Sequence, residues 1–307
     1  MMFTNFNLRK KQPKNHNLLE REYSIANFIP YRCHYNRNTI LLKDNSLLRV
    51  IKVKGFSFET ADDDDLNNRK NLRNSLFKGM AQSTFTMFFH TLRRRQRAFP
   101  GGKFKDSFCN YLNEEWHLRH GDKHTFVNEH YITIIRRRDK SSQALIENAA
   151  RAIEKRTDKK AWEREMRDAF EELDEITSRV ISAYSNYGAK MLGANKTRDG
   201  VFSELLEFLG ILVNCGYYQP MLVPTMPLAN YLANHRLFIG KKAVEARGPF
   251  GSRFAAMVSL KEYRPQTNAG LLDGFLRLPF EFIISQKFSF INRNTAIAGM
   301  QLQQNRL

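Results

Sequence analysis

Nucleotide chemistry is the first that this sequence invites and the first that it withholds. A phosphate-binding loop needs GxxxxGK[ST], because successive backbone N–H groups and the lysine cradle the phosphates while the hydroxyl reaches the magnesium ion. Gly240-Lys241 is followed by Lys242, and His235 stands where the first glycine should be. Gly102-Lys103 is followed by Phe104. Neither pair completes the loop, so ATP binding of that kind is not expected in this chain. His117, His120, His124 and His130 cluster in sequence, and an HxxH spacing can place two imidazoles on one helical face. The HExxH pattern is missing and Gly121 separates His120 from His124, so histidines at a helix end are expected rather than a metal site. The run Asp62-Asp63-Asp64-Asp65 lacks the alternating Asx positions and closing glutamate of a calcium loop, and reads as the first turn of a helix. No GxSxG elbow occurs, and no catalytic, cofactor-binding or metal-ligating set is assigned.

What remains is basic. The formal net charge is +18. Residues 1–140 hold 27 Lys+Arg against 14 Asp+Glu, and residues 141–307 hold 22 against 17, so the first part carries most of the positive field. Such a field draws nucleic acid, anionic headgroups or acidic protein tails, and sequence alone does not rank them. Two triplets stand out: Arg93, Arg94 and Arg95, and Arg136, Arg137 and Arg138. Each follows an apolar stretch expected as a buried strand. If the two strands are sheet neighbours, their relative direction decides whether the triplets meet. The triplets read either as a solvated rim or as an anion-docking surface. RNP-type aromatic signatures are missing, which weakens an RNA-binding reading.

The elements that must position these residues show in the periodicity. Residues 39–43 and 47–58 flank Asp44-Asn45-Ser46, and alternation in the second run predicts a hairpin with one buried face. A helix is expected over 66–80, a buried strand over 83–92, a helix over 103–119 and a strand over 125–136. That order predicts an antiparallel or mixed sheet with helices on one face. Phe104, Phe108, Tyr111, Leu112 and Trp116 lie on one side of the second helix. The longest helical stretch covers 141–192, with a break near 157–160. The segment 201–215 is apolar nearly all round, and Leu205, Phe208, Leu209 and Leu212 mark it as either core or an interface helix. Strand signals return at 237–240, 242–247, 252–263 and 281–290, with a short helix at 269–276 and a last helix from Asn292. The fold class expected is α+β, with two sheet-containing halves and a long helical insertion between them. Its divisions are a flexible basic arm over 1–22, a first half over 23–140, the insertion over 141–215 and a second half over 216–307.

Cys33, Cys109 and Cys215 are odd in number and far apart, which fits a reducing compartment. The N-terminal residues lack the apolar core of a secretory signal, and no window reaches the roughly 18 apolar residues of a spanning helix. A soluble or peripheral protein is expected.

Several stretches together resemble one family. LLKDNSLLRVIKVKGFSFET, NLRNSLFKGMAQSTFTMFFHTLRRRQ, SELLEFLGILVNCGYYQPMLVP, RLFIGKKAVEAR and the tract over 251–290 follow one another in the order of the conjugation and type IV secretion ATPases of the VirB-four, CagE and TrbE class. Nearly all of residues 30–307 is covered. The resemblance implies an N-terminal, non-catalytic domain of a hexameric secretion ATPase. Such a domain docks the motor to inner-membrane subunits of the channel, and helps it oligomerise, on the cytoplasmic face of the bacterial inner membrane. ATP and magnesium would belong to a C-terminal motor domain that has no counterpart in these residues. The alternative function is a basic nucleic-acid-binding module acting on transferred DNA.

Overall fold

A computed structural model describes residues 23–55, 62–80, 84–96, 102–120, 125–138, 159–249, 251–260 and 274–290, with 297, 300, 301 and 304. The expected basic arm over 1–22 and helical residues 141–158 lie outside the described residues, as does most of the expected short helix at 269–276. Of the last expected helix only the four separate residues are described.

The main sheet is built from β1 (Tyr31–Asn36), β2 (Thr39–Leu42), β3 (Leu47–Val53), β4 (Phe85–Gln96), β5 (Thr125–Arg136) and β12 (Phe282–Ser289). Its order is β1-β2-β3-β5-β4-β12, with β6 (Lys190–Met191) joining β3 beyond the end of β2. Every pairing in it is antiparallel. The expected hairpin is β2–β3, turned at Asn45, whose φ of 63° suits a left-handed turn residue. β1 is an additional strand. The last strand lies beside β4, so the segments expected as two halves share one sheet.

Two helices pack on this sheet, and a third is inserted between two of its strands. α1 (Asp63–Gly79) opens with Asp63, Asp64 and Asp65 in its first turn, where carboxylates complement the helix dipole. α2 (Ser107–His120) is inserted between β4 and β5, and Asp106 Oδ1 accepts the Phe108 and Cys109 backbone N–H groups at its start. α3 (Lys159–Ala183) carries Met166, Ala169, Leu173, Ile176 and Val180 at helical spacing. That stripe is buried against Leu47, Ile51, Val53, Phe85, Met87, Ile132 and Ile134. Each such side chain contributes on the order of 1.5–3 kcal/mol by leaving water. The expected insertion is therefore a layer on the sheet.

The other face is covered too. α4 (Glu204–Val213) and α5 (Leu228–Leu232) place Leu205, Leu206, Phe208, Leu209, Leu228 and Leu232 over Leu48, Val50, Leu92 and Tyr131. The expectation of helices on one face is corrected. Val50 and Ile51 are both fully buried although they point to opposite faces, because helices from different parts of the chain cover each side. Beside this core, β7 (Ala194–Thr197) and β8 (Gly200–Ser203) form a small ribbon. β9 (Arg236–Ile239), β10 (Val244–Gly248) and β11 (Gly251–Ala255) form a three-stranded meander. No helix among the described residues is long and apolar enough to cross a membrane.

Candidate docking surfaces

Pairing of β4 with β5 runs from Phe85↔Arg136 to Gln96↔Thr125. Arg93–Arg95 lie within the last third of β4, and Arg136 lies at the last position of β5. Antiparallel pairing thus sends the two triplets to opposite ends of one ribbon. Arg93 is eight residues along β4 from the partner of Arg136, roughly 26 Å at the usual rise per residue. One joint anion surface is excluded by this geometry.

The arginines mostly hold elements together. Arg93 Nε donates to the Leu278 carbonyl at 2.8 Å and Nη1 to Asn128 Oδ1 at 3.0 Å, fastening the approach to β12. Its guanidinium lies 4.5 Å from the centre of the Phe126 ring. Arg136 Nε reaches Glu172 on α3 at 3.0 Å. Arg138 meets Glu165 on the same helix with two bonds of 2.8 and 3.2 Å, the planar fork matching the carboxylate. Arg95 and Arg137 are the exposed members. The backbone N–H of Arg95 donates to Glu281 Oε1 at 2.8 Å.

Arg94 belongs to a charged cluster on the sheet face beside α4. Glu129 of β5 receives Lys52 Nζ at 2.7 Å and Arg94 Nε at 2.9 Å. The Arg94 guanidinium lies 5.1 Å from the Tyr218 ring centre, and Tyr218 Oη donates to Glu207 of α4 at 3.3 Å. Burial would raise the Glu129 carboxyl, but the hydrogen bonds and charges of Lys52 and Arg94 outweigh it and hold the group below its ordinary value. Burial likewise opposes the Lys52 ammonium, and the Glu129 contacts outweigh it, raising its pKa. Glu207 is pushed up by burial. This cluster was not singled out from sequence. Its trace was Lys52 and Glu129, charges within two otherwise sheet-forming stretches, which call for a partner across the sheet.

A second interior charge sits on the opposite face. Arg49, 3% exposed, donates to Thr39 Oγ1 at 2.9 Å and to Asp174 of α3 at 2.6 Å. The four-histidine cluster does not assemble. His117 lies on α2, His120 ends it, His130 lies on β5 with its ring 3.2 Å from Thr91 Oγ1, and His124 is outside the described residues. No group of three or more His, Cys, Asp or Glu side chains among the described residues is arranged to hold a metal ion.

The interface reading of α4 is corrected as well. Leu205, Phe208 and Leu209 are buried inside the chain, and Leu212 packs against the same cluster. Ser203 caps the helix by accepting the Leu206 N–H at 3.2 Å. Asn214 Nδ2 donates to the Gly210 and Leu232 carbonyls at 3.0 Å, joining α4 to α5. Large apolar side chains that face solvent include a group on α2, where Phe108, Tyr111, Leu112, Trp116 and Leu118 are all more than half exposed.

Comparison with known proteins agrees with this arrangement of segments. The model for the type IV secretion system ATPase VirB4/TrbE N-terminal domain matches residues 38–144. That for the CagE, TrbE, VirB family, a component of type IV transporter systems, matches residues 190–307. The chain is 30% identical over 294 residues to the type IV secretion system protein virB4 of Bartonella henselae, covering 94% of this chain and 37% of that protein. It is 28% identical over 303 residues to virB4 of Brucella suis, covering 96% and 36%. It is also 28% identical over 291 residues to PtlC of Bordetella pertussis, covering 94% and 35%. The chain thus spans little more than a third of the length of these relatives, and it belongs to the VirB4/TrbE family of type IV secretion proteins, corresponding to the N-terminal region.

Proposed function

We propose that these residues form a non-catalytic assembly region of a type IV secretion ATPase, docking it to inner-membrane subunits of the secretion channel at the cytoplasmic face and helping it to form a homo-oligomer. The observation that carries the reading is the pair of matches to the N-terminal and CagE/TrbE/VirB models, in that order, over most of one sheet-based unit. Nucleotide and magnesium chemistry is assigned by this proposal to residues beyond these 307. The internal use of most arginines supports it over the DNA-binding alternative, since Arg94, Arg136 and Arg138 spend their charge on Glu129, Glu172 and Glu165. Exposed Arg95 and Arg137 remain as docking contacts for acidic segments or headgroups.

Two measurements test this. Purified chain is assayed for ATP hydrolysis, and membrane extracts carrying the channel subunits are passed over immobilised chain across a salt series. Recovery of channel subunits with no turnover is expected. Turnover that survives stringent purification, or tight salt-dependent binding of single-stranded DNA without capture of channel subunits, overturns the reading.

A further inference from the structure

The two outer edges of the main sheet are built differently. β1 pairs with β2 through register irregularities between Tyr31 and Cys33 and between His34 and Asn36. Bulges of that kind twist an edge away from intruding strands. β12 pairs with β4 in eight consecutive positions without irregularity, from Phe282↔Arg93 to Ser289↔Thr86. It holds no proline and a single charge, Lys287. Among the described residues no strand occupies its outer side, and residues 285–289 are exposed. Among the described residues, one edge is guarded and the other is left able to pair.

We propose that β12 is a strand-addition site for an extended segment of a partner protein whose side chains alternate between apolar and acidic. Alternation follows from what flanks the edge. On one face Phe288 stacks on Phe77 at 5.1 Å and meets Phe290 edge-on at 5.1 Å, an aromatic shelf that suits apolar side chains. On the other face lie Ser285, Lys287 and Ser289, and no described carboxylate pairs with Lys287. The acid nearest in sequence, Glu281, is already held by the Arg95 N–H and by Arg253. An acidic side chain is therefore the complement on that face, and the +18 charge of the chain draws such a segment from a distance. The same charge opposes a second copy, which would place both Lys287 side chains on one face. Main-chain bonds would supply the affinity, and the two faces the choice of side chains. The proposal takes a protein partner from the assembly reading above, but its test uses a synthetic strand.

The probe is a labelled ten-residue peptide alternating isoleucine with glutamate. Controls are a lysine version and two versions N-methylated at every second residue, one in each phase. Saturable binding of the glutamate peptide is expected, with slowed hydrogen exchange at residues 282–289. One N-methylated phase loses at least tenfold in affinity and the other does not, because only one set of amides faces the edge. Lys287→Glu shifts the ratio of glutamate to lysine peptide binding at least tenfold with an unchanged circular dichroism spectrum. Equal binding of both methylated phases, protection confined to other elements, or a β12-dependent dimer in sedimentation overturns the proposal. If channel subunits are not captured while the peptide binds as described, the assembly reading fails and this one stands.

Discussion

α4 and α2 are both short helices rich in large apolar residues, and their fates are opposite. α4 has Leu205 and Leu206 fully buried and Phe208 and Leu209 nearly so, whereas on α2 Phe108, Tyr111, Leu112 and Trp116 face solvent. Composition separates them in part, since α4 is charged only at Glu204 and Glu207 while α2 carries Asn110, Asn113, Glu114, Glu115, His117 and Arg119; attachment differs as well. Both ends of α4 are tied to the body of the protein. Ser203 N–H donates to the Met221 carbonyl at 2.8 Å, Glu204 N–H to the Gly193 carbonyl at 3.0 Å, and Asn214 bridges to α5. α2 enters and leaves beyond the last paired residues of β4 and β5, Gln96 and Thr125, at the far end of that ribbon.

The largest effect expected from this contrast is at Leu209. A carboxylate there would be buried without a partner among Leu205, Phe208 and Leu232, at a cost of several kcal/mol. Leu209→Asp should therefore unfold the domain, with loss of the near-ultraviolet circular dichroism spectrum. The matched change Leu112→Asp on α2 should leave that spectrum intact. Folding of Leu209→Asp with a native spectrum would end the distinction.

Next is the floor beneath α4. His90 of β4 lies 5.3 Å from the Phe208 ring and meets Ser285 Oγ at 2.8 Å, and burial lowers its pKa to about 4. Above its unfolded value of 6.5 the ring is neutral in both states. As pH falls, the unfolded chain takes up a proton that the folded chain refuses until about pH 4. Stability is lost across that window, by up to about 3 kcal/mol. His90→Gln retains a polar partner for Ser285 without titrating, and should flatten the fall measured by urea unfolding between pH 6.5 and 4. A residual slope remains from His34, His130 and His235, whose values burial also lowers. An unchanged slope in His90→Gln would show that the ring does not titrate in this way.

A smaller effect is expected in the charged cluster beside α4. Glu129→Gln leaves Lys52 and Arg94 facing each other without their shared carboxylate. A loss of about 2 kcal/mol in the unfolding free energy is expected, since both cations are only partly solvated. Lys52→Met added to Glu129→Gln should recover part of it, which a double-mutant cycle measures. Additive losses would mean that the two side chains are not coupled.

Much of this contrast's scaffold was legible, and its geometry was not. The β2–β3 hairpin, β4, β5, α1, the second part of the long helix and the meander strands each show in local periodicity. Helix α4 shows as an apolar segment, although the start of that segment forms β8 instead. What local pattern misses is pairing between distant segments. β12 joins β4 across nearly two hundred residues, and nothing in either strand names the other. The relative direction of β4 and β5 decided that the arginine triplets part. The alternation around Lys52 pointed to a single buried face, yet Val50 and Ile51 are both buried, because the layer over each face comes from elsewhere in the chain. Adjacent apolar pairs such as Leu47-Leu48 and Val50-Ile51 were the available sign of a strand covered on both sides.

The smallest stability effect is expected on α2 itself. Phe108→Ser combined with Trp116→Ser removes two aromatic side chains that already face water, so little transfer free energy is lost and no cavity forms. Serine, phenylalanine and tryptophan have similar helix propensities, and both positions lie within the helix, where Asp106 still caps the start. The urea midpoint should move by under about 0.5 kcal/mol. Solubility should rise, since a contiguous exposed apolar face is also an aggregation liability. A loss above about 2 kcal/mol would mean that α2 is packed against the body of the protein, and the contrast with α4 would then reduce to a difference in degree. Capture of channel subunits from membrane extract, measured on the same variant, adds a second axis. If capture falls while the midpoint holds, the α2 face is part of the docking surface. If both hold, the apolar side chains of α2 serve neither folding nor that association.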